Sequence, residues 1–173
     1  AAVRDLAGLY RFEPATVACD LHPDYFTTRW ALAQNRAVLP VQHHHAHALA
    51  CTAEHGLLDR EVLAFTWDGT GYGPDGTVWG GEALACDGAG GYRRVAHLRL
   101  FSLPGGDQAV REPRRSALGV LFEMLGEEAG GLAQAWFAQA ELRPLLALLD
   151  RSLRSPRTSS MGRLFDAVAV LCG

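Results

Sequence analysis

A tract of four histidines in five positions is the first part of the sequence whose residue types could do chemistry. It comprises His43, His44, His45 and His47. If the tract lies on a helix, His43 and His47 are one turn apart on the same face, where two imidazoles can hold one metal ion. His44 stands where a zinc metalloprotease has its general-base glutamate, so the tract is not an HExxH motif. The pattern favours a metal site, and the alternative is a helix start with partly exposed histidines.

A glycine-rich segment supplies a second set of groups. Asp68 follows the predicted strand Val62–Trp67, and three glycines lie within the next five residues, Gly69–Gly73. Backbone N–H groups exposed by glycines can bind an anion, Asp68 could ligate a metal, and Thr70 could donate to a phosphate oxygen. A strand follows where a dinucleotide-binding fold would need a helix. A hairpin that only turns the chain is the alternative.

A third candidate lies near the end of the chain, in Thr158–Asp166. Ser159 or Ser160 is a natural helix N-cap, and we predict that the final helix starts at about Arg163. A helix N-terminus with a nearby guanidinium suits an anion. Capping alone explains the serines but does not explain Gly162.

The composition excludes several mechanisms. The chain has 173 residues and a formal net charge of −3, and all 16 of its basic residues are arginine. A P-loop, a Schiff base and protein-kinase chemistry all need a lysine, so none of them is available within this chain. The near-neutral charge argues against nucleic acid as a partner, and no apolar run approaches the ~20 residues of a membrane helix. Four cysteines without CxxC spacing fit a cytoplasmic protein with buried thiols.

The elements that must position these groups follow from periodicity. Strand and helix patterns alternate in the first sixty residues, with short joins, which predicts an α/β arrangement with parallel strands. The predicted elements are Thr16–Asp20, helix Phe26–Arg36, strand Ala37–Gln42 and helix His43–Leu57. Beyond Glu61 we predict a three-stranded antiparallel meander, followed by helices from Ser116, over Leu132–Arg154 and from Arg163. The meander strands are Val62–Trp67, Thr77–Asp87 and Tyr92–Ser102.

Six stretches together resemble the Kae1-like domain of the HypF carbamoyltransferases. In chain order they are Ala18–Tyr25, Val41–His47, Asp68–Gly73, Trp79–Glu82, Leu103–Asp107 and Thr158–Val168. The HxxxH helix is also similar to that of tRNA threonylcarbamoyltransferases, which usually carry Glu where this chain has His45. The first and last stretches favour the hydrogenase-maturation branch.

The resemblance implies an actin/sugar-kinase/Hsp70-like fold, in which two RNase-H-like lobes flank a nucleotide cleft. Residues 1–60 would be the end of the first lobe and residues 61–173 the start of the second. We expect the chain to be a truncated piece of this domain, because it lacks an initiating Met, the family's first hairpin and a later glycine-rich segment with another ligand Asp. Alone, it should bind metal weakly and lack transferase activity.

The resemblance also implies a reaction and a set of site residues. The family makes carbamoyl-adenylate from carbamoyl phosphate and ATP in another domain of the polypeptide. Its Kae1-like domain then passes the carbamoyl group to the C-terminal cysteine thiolate of a HypE-type maturation partner. The implied metal ligands are His43, His47 and Asp68, for Zn or Fe, with Mg accompanying the nucleotide. The implied nucleotide-lining residues are Gly69, Thr70, Gly71, Gly162 and Asp166.

Two alternatives to this reaction remain open. One is carbamoylation of a small molecule or a tRNA by a related enzyme. The other is a non-catalytic module that binds nucleotide or metal. No nucleic acid or membrane partner is expected on the main reading, and no catalytic residue is assigned.

Overall fold

A computed structural model describes residues 2–173, so Ala1, the first residue of the predicted first segment, lies outside the described residues. The chain divides into two compact units, Ala1–His43 and His44–Gly173. The division falls inside one continuous helix, directly after its first residue. Each unit combines helices and strands, which confirms the predicted α/β class. The predicted lobe boundary at residue 60 stays a prediction.

The first unit contains a β-α-β arrangement. Helix α1 (Ala2–Tyr10), which the sequence patterns did not predict, precedes strand β1 (Thr16–Asp20), helix α2 (Phe26–Leu32) and strand β2 (Ala37–Val41). The two strands are parallel, as predicted, and Asp20 is paired with Val41 at their carboxyl ends. Helix α2 is shorter than predicted because the Gln34 side chain donates to the Trp30 carbonyl, 2.9 Å away, and replaces the next helical hydrogen bond.

The second unit is built on a five-stranded sheet. Its strands are β3 (Val62–Tyr72), β4 (Val78–Cys86), β5 (Tyr92–His97), β6 (Phe101–Ser102) and β7 (Arg157–Thr158). Strand β4 is antiparallel to β3 and β5, which confirms the predicted meander, and it is parallel to β7. The predicted single strand Tyr92–Ser102 is wrong. It is two strands, of which β5 pairs with β4 and β6 pairs with β7, so the chain moves away from β4 between β5 and β6.

Strand β3 does not end where the sequence predicts. It continues through the glycine-rich segment to Tyr72, and its register with β4 shifts between Trp67 and Gly71. The chain reverses only afterwards, at a turn in which the Gly76 N–H donates to the Gly73 carbonyl at 2.9 Å. The predicted strand-to-strand bend is therefore a bulge within a strand, and a bulge re-aims the side chains next to it.

One face of β3 is also more exposed than predicted. Leu63, Phe65 and Trp67 are 56%, 69% and 70% exposed, although the run of apolar residues predicts a buried strand. Of the described strands only β4 pairs with β3, and the side chains on its other face are not covered by residues 2–173.

The remaining helices pack beside the sheet. They are α3 (His43–Glu54), α4 (Gln108–Arg111), α5 (Pro113–Leu125), α6 (Ala129–Ala133), α7 (Gln139–Asp150) and α8 (Met161–Cys172), with a 3-10 turn at Gly126–Glu128. The predicted continuous helix Leu132–Arg154 is wrong. It is interrupted between α6 and α7, where Phe137 turns into a core with Leu118 and Leu142.

The C-terminal end of α3 and the N-terminal end of α8 are each fixed by a local hydrogen bond. Helix α3 ends at Glu54, and the Leu57 N–H donates back to the Thr52 carbonyl around Gly56, which has φ +65°. Gly56 therefore stops the helix, as predicted, with the positive φ that favours glycine. Helix α8 begins at Met161, two residues before the predicted start, because the Ser160 hydroxyl accepts the Arg163 N–H at 3.0 Å and caps it.

Helix α3 is fixed to the sheet by a small apolar contact. Ala48 packs with Trp79, Leu84 and Cys86 of β4 in one buried cluster. This contact sets which face of α3 is turned towards the sheet and which carries the exposed histidine. Among residues 2–173, no helix combines the length and the apolarity needed to cross a membrane.

Candidate metal centre and nucleotide site

The histidine tract forms the first turns of α3, as predicted. His44 is fully buried, with its ring centroid 6.4 Å from that of Trp79. His47 lies one turn after His43, and its side chain is 60% exposed. The tract therefore divides between a buried face and a face that is open to a ligand.

Asp68 meets this helix from strand β3. Its Oδ1 accepts the N–H of Gly69 at 2.6 Å. Its Oδ2 lies 3.5 Å from His47 Nε2 and 3.8 Å from His44 Nε2. Asp68 belongs to the bulge, and its carboxylate lies beside the histidine helix.

The three predicted metal ligands lie together. His43, His47 and Asp68 each offer one ligand atom, and these atoms all lie within 4.8 Å of one another. His43 is the first residue of α3, so the continuous helix sets its distance from His47. Two imidazole nitrogens and a carboxylate oxygen are a donor set that suits Zn or non-haem Fe. The residues present therefore fit the metal that the resemblance implies, and its identity stays a prediction.

An additional carboxylate, which the sequence reasoning missed, orients His43. Asp20 Oδ2 lies 3.0 Å from His43 Nδ1, and Asp20 Oδ1 accepts the N–H of His22 at 2.8 Å. A carboxylate on Nδ1 favours the tautomer protonated there and makes Nε2 the basic ligand nitrogen. The predicted parallel pairing of β1 and β2 could have indicated this role for Asp20, because it places the end of β1 beside the residues that lead into α3.

His45 does not belong to the cluster. It is buried, and its ring stacks on Tyr92 with centroids 4.3 Å apart. Burial lowers the pKa of His45, although the charge of Asp87 partly opposes this. His45 therefore packs in the second unit as an aromatic side chain beside β5.

The predicted nucleotide residues Gly69 and Gly162 are in direct backbone contact. A Cβ added to Gly162 would lie 2.9 Å from Gly69 Cα. The Ser160 hydroxyl donates to the Gly69 carbonyl at 2.6 Å and also caps α8. We call this contact between Asp68–Gly69 and Ser160–Gly162 the glycine seam. It joins the bulge that carries Asp68 to the N-terminus of α8.

The other predicted nucleotide residues lie around the seam. Thr70 is exposed and Gly71 is buried within β3. Asp166 lies one helical turn after Gly162 and pairs with Arg163, with an oxygen 2.9 Å from Nη2. The carboxylate of Asp166 is therefore engaged by a side chain of its own helix.

A buried acid that the sequence reasoning also missed lies beneath the seam. Glu82 has a completely buried side chain and an Arg94 Nε 2.6 Å from Oε2. Burial opposes its ionisation, but hydrogen bonds from Ser159, Gly80 and Gly81 and the charge of Arg94 outweigh it and lower its pKa from the usual 4.5. A glutamate within a Trp-Gly-Gly-Glu stretch of a predicted strand was the only available signal.

Comparison with protein-family models gives two matches in this chain. Residues 64–173 match the second subdomain of the carbamoyltransferase Kae1-like domain, and residues 1–54 match the HypF Kae1-like domain.

Curated relatives align with almost the whole chain. It is 43% identical over 188 residues to carbamoyltransferase HypF of Synechocystis sp., which covers 99% of this chain and 24% of the relative. It is 46% identical over 178 residues to carbamoyltransferase HypF2 of Cupriavidus necator, covering 99% of this chain and 21% of the relative. The chain thus spans under a quarter of the length of these relatives.

Solved structures agree. A crystal structure of full-length HypF in the phosphate- and nucleotide-bound form has a TM-score of 0.90 at 40% identity, over 98% of this chain and 22% of that one. HypF of T. kodakarensis has a TM-score of 0.81 at 31% identity, over 98% of this chain and 24% of that one. The predicted resemblance and the actin/sugar-kinase-like fold class are confirmed.

Proposed function

Because the chain belongs to the HypF Kae1-like carbamoyltransferase family, we propose that it contributes the metal- and nucleotide-binding residues of a carbamoyltransferase. The observation that carries the proposal is the cluster of His43, His47 and Asp68, which adjoins the glycine seam through the peptide bond between Asp68 and Gly69. A metal centre and an anion-binding backbone thus share one residue pair.

The proposed reaction is acyl transfer to sulfur. The thiolate attacks the carbamoyl carbon of carbamoyl-adenylate, a C–S bond forms, the C–O bond to the phosphate breaks, and AMP leaves with the electron pair. The acceptor is the C-terminal cysteine of a HypE-type partner in hydrogenase maturation, in the cytoplasm. The other domains of the polypeptide supply the carbamoyl-adenylate.

The chain's own residues would hold and orient the reactants. His43, His47 and Asp68 would hold a divalent ion, which supplies Lewis-acid stabilisation of developing negative charge when bound. Asp20 keeps the proton of His43 on Nδ1. The first-turn N–H groups of α8 and the positive end of its dipole suit the phosphate of a nucleotide. Holding both reactants in place lowers the entropic part of the barrier.

The test is a double substitution in the full-length protein, His43→Ala with His47→Ala. The protein is incubated with ATP, carbamoyl phosphate and the partner, and mass spectrometry measures carbamoylation of the partner's terminal cysteine. His55→Ala is the matched control, because His55 follows the same helix and lies outside the cluster.

We expect the double variant to lose transfer while it still binds the partner, and the control to keep transfer. Unchanged transfer in the double variant would refute the role of the cluster. If carbamoyl groups appear instead on a tRNA or a small molecule, the proposed cysteine acceptor is wrong, and the protein has the activity of a related carbamoylating enzyme. If the wild type transfers no carbamoyl group to any acceptor, the chain is a binding module.

A further inference from the structure

Strand β4 has a gap in its pairing at Gly80 and Gly81, directly beside the bulge of β3. Gly71 is paired with Trp79 and Trp67 with Gly81, so three residues of β3, Asp68 to Thr70, lie opposite the single residue Gly80. On its other edge β4 is paired with β5 from Glu82 to Cys86 and with β7 at Val78, so among the described strands neither β5 nor β7 is paired with Gly80 or Gly81. Backbone N–H groups there need other acceptors, because an unpaired buried donor costs free energy.

Glu82 provides those acceptors. Its Oε1 accepts the N–H groups of Gly80 and Gly81 at 2.7 and 2.9 Å and the hydroxyl of Ser159 at 2.5 Å. One buried carboxylate oxygen therefore binds the strand opposite the bulge and also the residue that precedes the cap of α8.

The backbone held by Glu82 touches both sides of the glycine seam. A Cβ on Gly80 would lie 2.6 Å from the Asp68 carbonyl and 2.7 Å from Ser160 Cα. A Cβ on Gly81 would lie 2.6 Å from the Ser159 carbonyl. With such close approaches, a displacement of β4 at these glycines must be transmitted to Asp68 and to the start of α8.

The carboxylate itself is held from its other side. Arg94 donates from Nε to Glu82 Oε2, from Nη1 to Asp75 Oδ2 at 2.8 Å and from Nη2 to the Ser159 hydroxyl at 3.1 Å. Its guanidinium lies over the Trp79 ring, 4.2 Å from the centroid. A charge-assisted pair of this kind fixes the carboxylate more firmly than a neutral hydrogen bond would.

We propose that Glu82 is a positioning residue of the metal centre: by replacing the missing ladder acceptors it holds Asp68 towards the histidine helix. This inference rests on the proposed function, because it assigns Glu82 to the site formed by His43, His47 and Asp68. Glu82 touches no ligand of that site directly, and it acts through Gly80, Gly81 and Ser159.

The experiment measures Zn²⁺ binding to the metal-free full-length protein by competition with a chromophoric chelator, giving affinity and stoichiometry separately. Glu82→Gln keeps the volume of the side chain but turns an acceptor oxygen into an NH₂ donor. Glu141→Gln is the matched control, since Glu141 also pairs with an arginine, Arg114, at 2.7 Å, within the helical part of the unit.

We expect Glu82→Gln to lower Zn²⁺ affinity about tenfold to a hundredfold at unchanged stoichiometry, the range found for outer-shell partners of metal ligands. A merely structural role would reduce the number of sites per protein and leave the affinity of each site unchanged. Ser159→Ala, a milder change that spares the carboxylate, should lower the affinity about fivefold. The double variant should bind no more weakly than Glu82→Gln, because both changes break one connection.

The outcomes separate the two proposals. If wild-type protein has no Zn²⁺ site that depends on His43 and His47, both the metal centre and the role of Glu82 are refuted. If the wild type has that site and Glu82→Gln binds with wild-type affinity, only the positioning role is refuted. If Glu82→Gln does not fold, Ser159→Ala decides, and unchanged affinity in that variant overturns the inference.

Discussion

Replacing Gly162 with alanine tests the glycine seam by a change of one methyl group. The new Cβ would lie 2.9 Å from Gly69 Cα and 3.5 Å from the Asp68 carbonyl oxygen. The first distance is about 0.6–1.1 Å short of the optimal separation of two carbon atoms in van der Waals contact. Both neighbours are backbone atoms, so no side-chain rotation relieves the clash, and the bulge and α8 must separate.

The magnitude follows from a comparison with Gly131→Ala. Gly131 also lies in a helix, α6, and nothing stands within 4 Å of its added Cβ. Alanine in a helix is favoured over glycine by up to about 1 kcal/mol, and this gain is common to both variants. Overpacking costs about 1–3 kcal/mol. We therefore expect Gly162→Ala to be less stable than Gly131→Ala by about 1–3 kcal/mol.

Hydrogen–deuterium exchange in the full-length protein measures this locally. Compared with Gly131→Ala, peptides from β3 and from the first turn of α8 should exchange about fivefold to 150-fold faster in Gly162→Ala, because opening free energy sets the exchange rate. Peptides from α7 should exchange at the wild-type rate. Equal protection of the seam in the two alanine variants would show that Gly69 and Gly162 do not approach each other as described.

Two further predictions concern carboxylates. Asp20→Asn should lower metal affinity about tenfold to a hundredfold, because His43 is then held less firmly. Chelator competition measures this affinity, and Asp24→Asn in the exposed loop should leave it unchanged. Equal effects of the two substitutions would contradict the role of Asp20. The lowered pKa of Glu82 means that its ionised form stabilises the fold above its usual pKa of 4.5, and that this contribution is lost as the pH falls through the folded-state pKa. The melting temperature of the wild type should therefore fall more steeply below about pH 4.5 than that of Glu82→Gln. Parallel plots of melting temperature against pH for the two proteins would exclude this linkage.

The histidine helix could be predicted because its information is local. The alternation of strand and helix patterns and Gly56 as a stop predict α3 without any tertiary contact, and Ser160, the observed cap, is one of the two serines named as candidates. The parallel pairing of β1 and β2 followed from the alternation of strand and helix patterns with short joins. Such features depend on periodicity and short-range hydrogen bonds.

What the sequence could not predict depends on pairing between distant residues. The extension of β3 to Tyr72 requires the bulge opposite Gly80, and glycines in a bulge and in a turn look alike in sequence. The split between β5 and β6 arises because they have different partners, β4 and β7. The Trp-Gly-Gly-Glu stretch marks Glu82 but does not reveal its role, because that role depends on where β5 and β7 end beside β4.

The two aspartates that face the histidine helix share an arrangement with an entropic consequence. In each, one oxygen accepts a nearby backbone N–H, from His22 to Asp20 and from Gly69 to Asp68, while the other oxygen faces an imidazole. Immobilising a side chain on binding costs about 0.5–1.5 kcal/mol. Here the backbone holds each carboxylate when the chain folds, so this ordering entropy is lost on folding and is not subtracted from the affinity for a ligand.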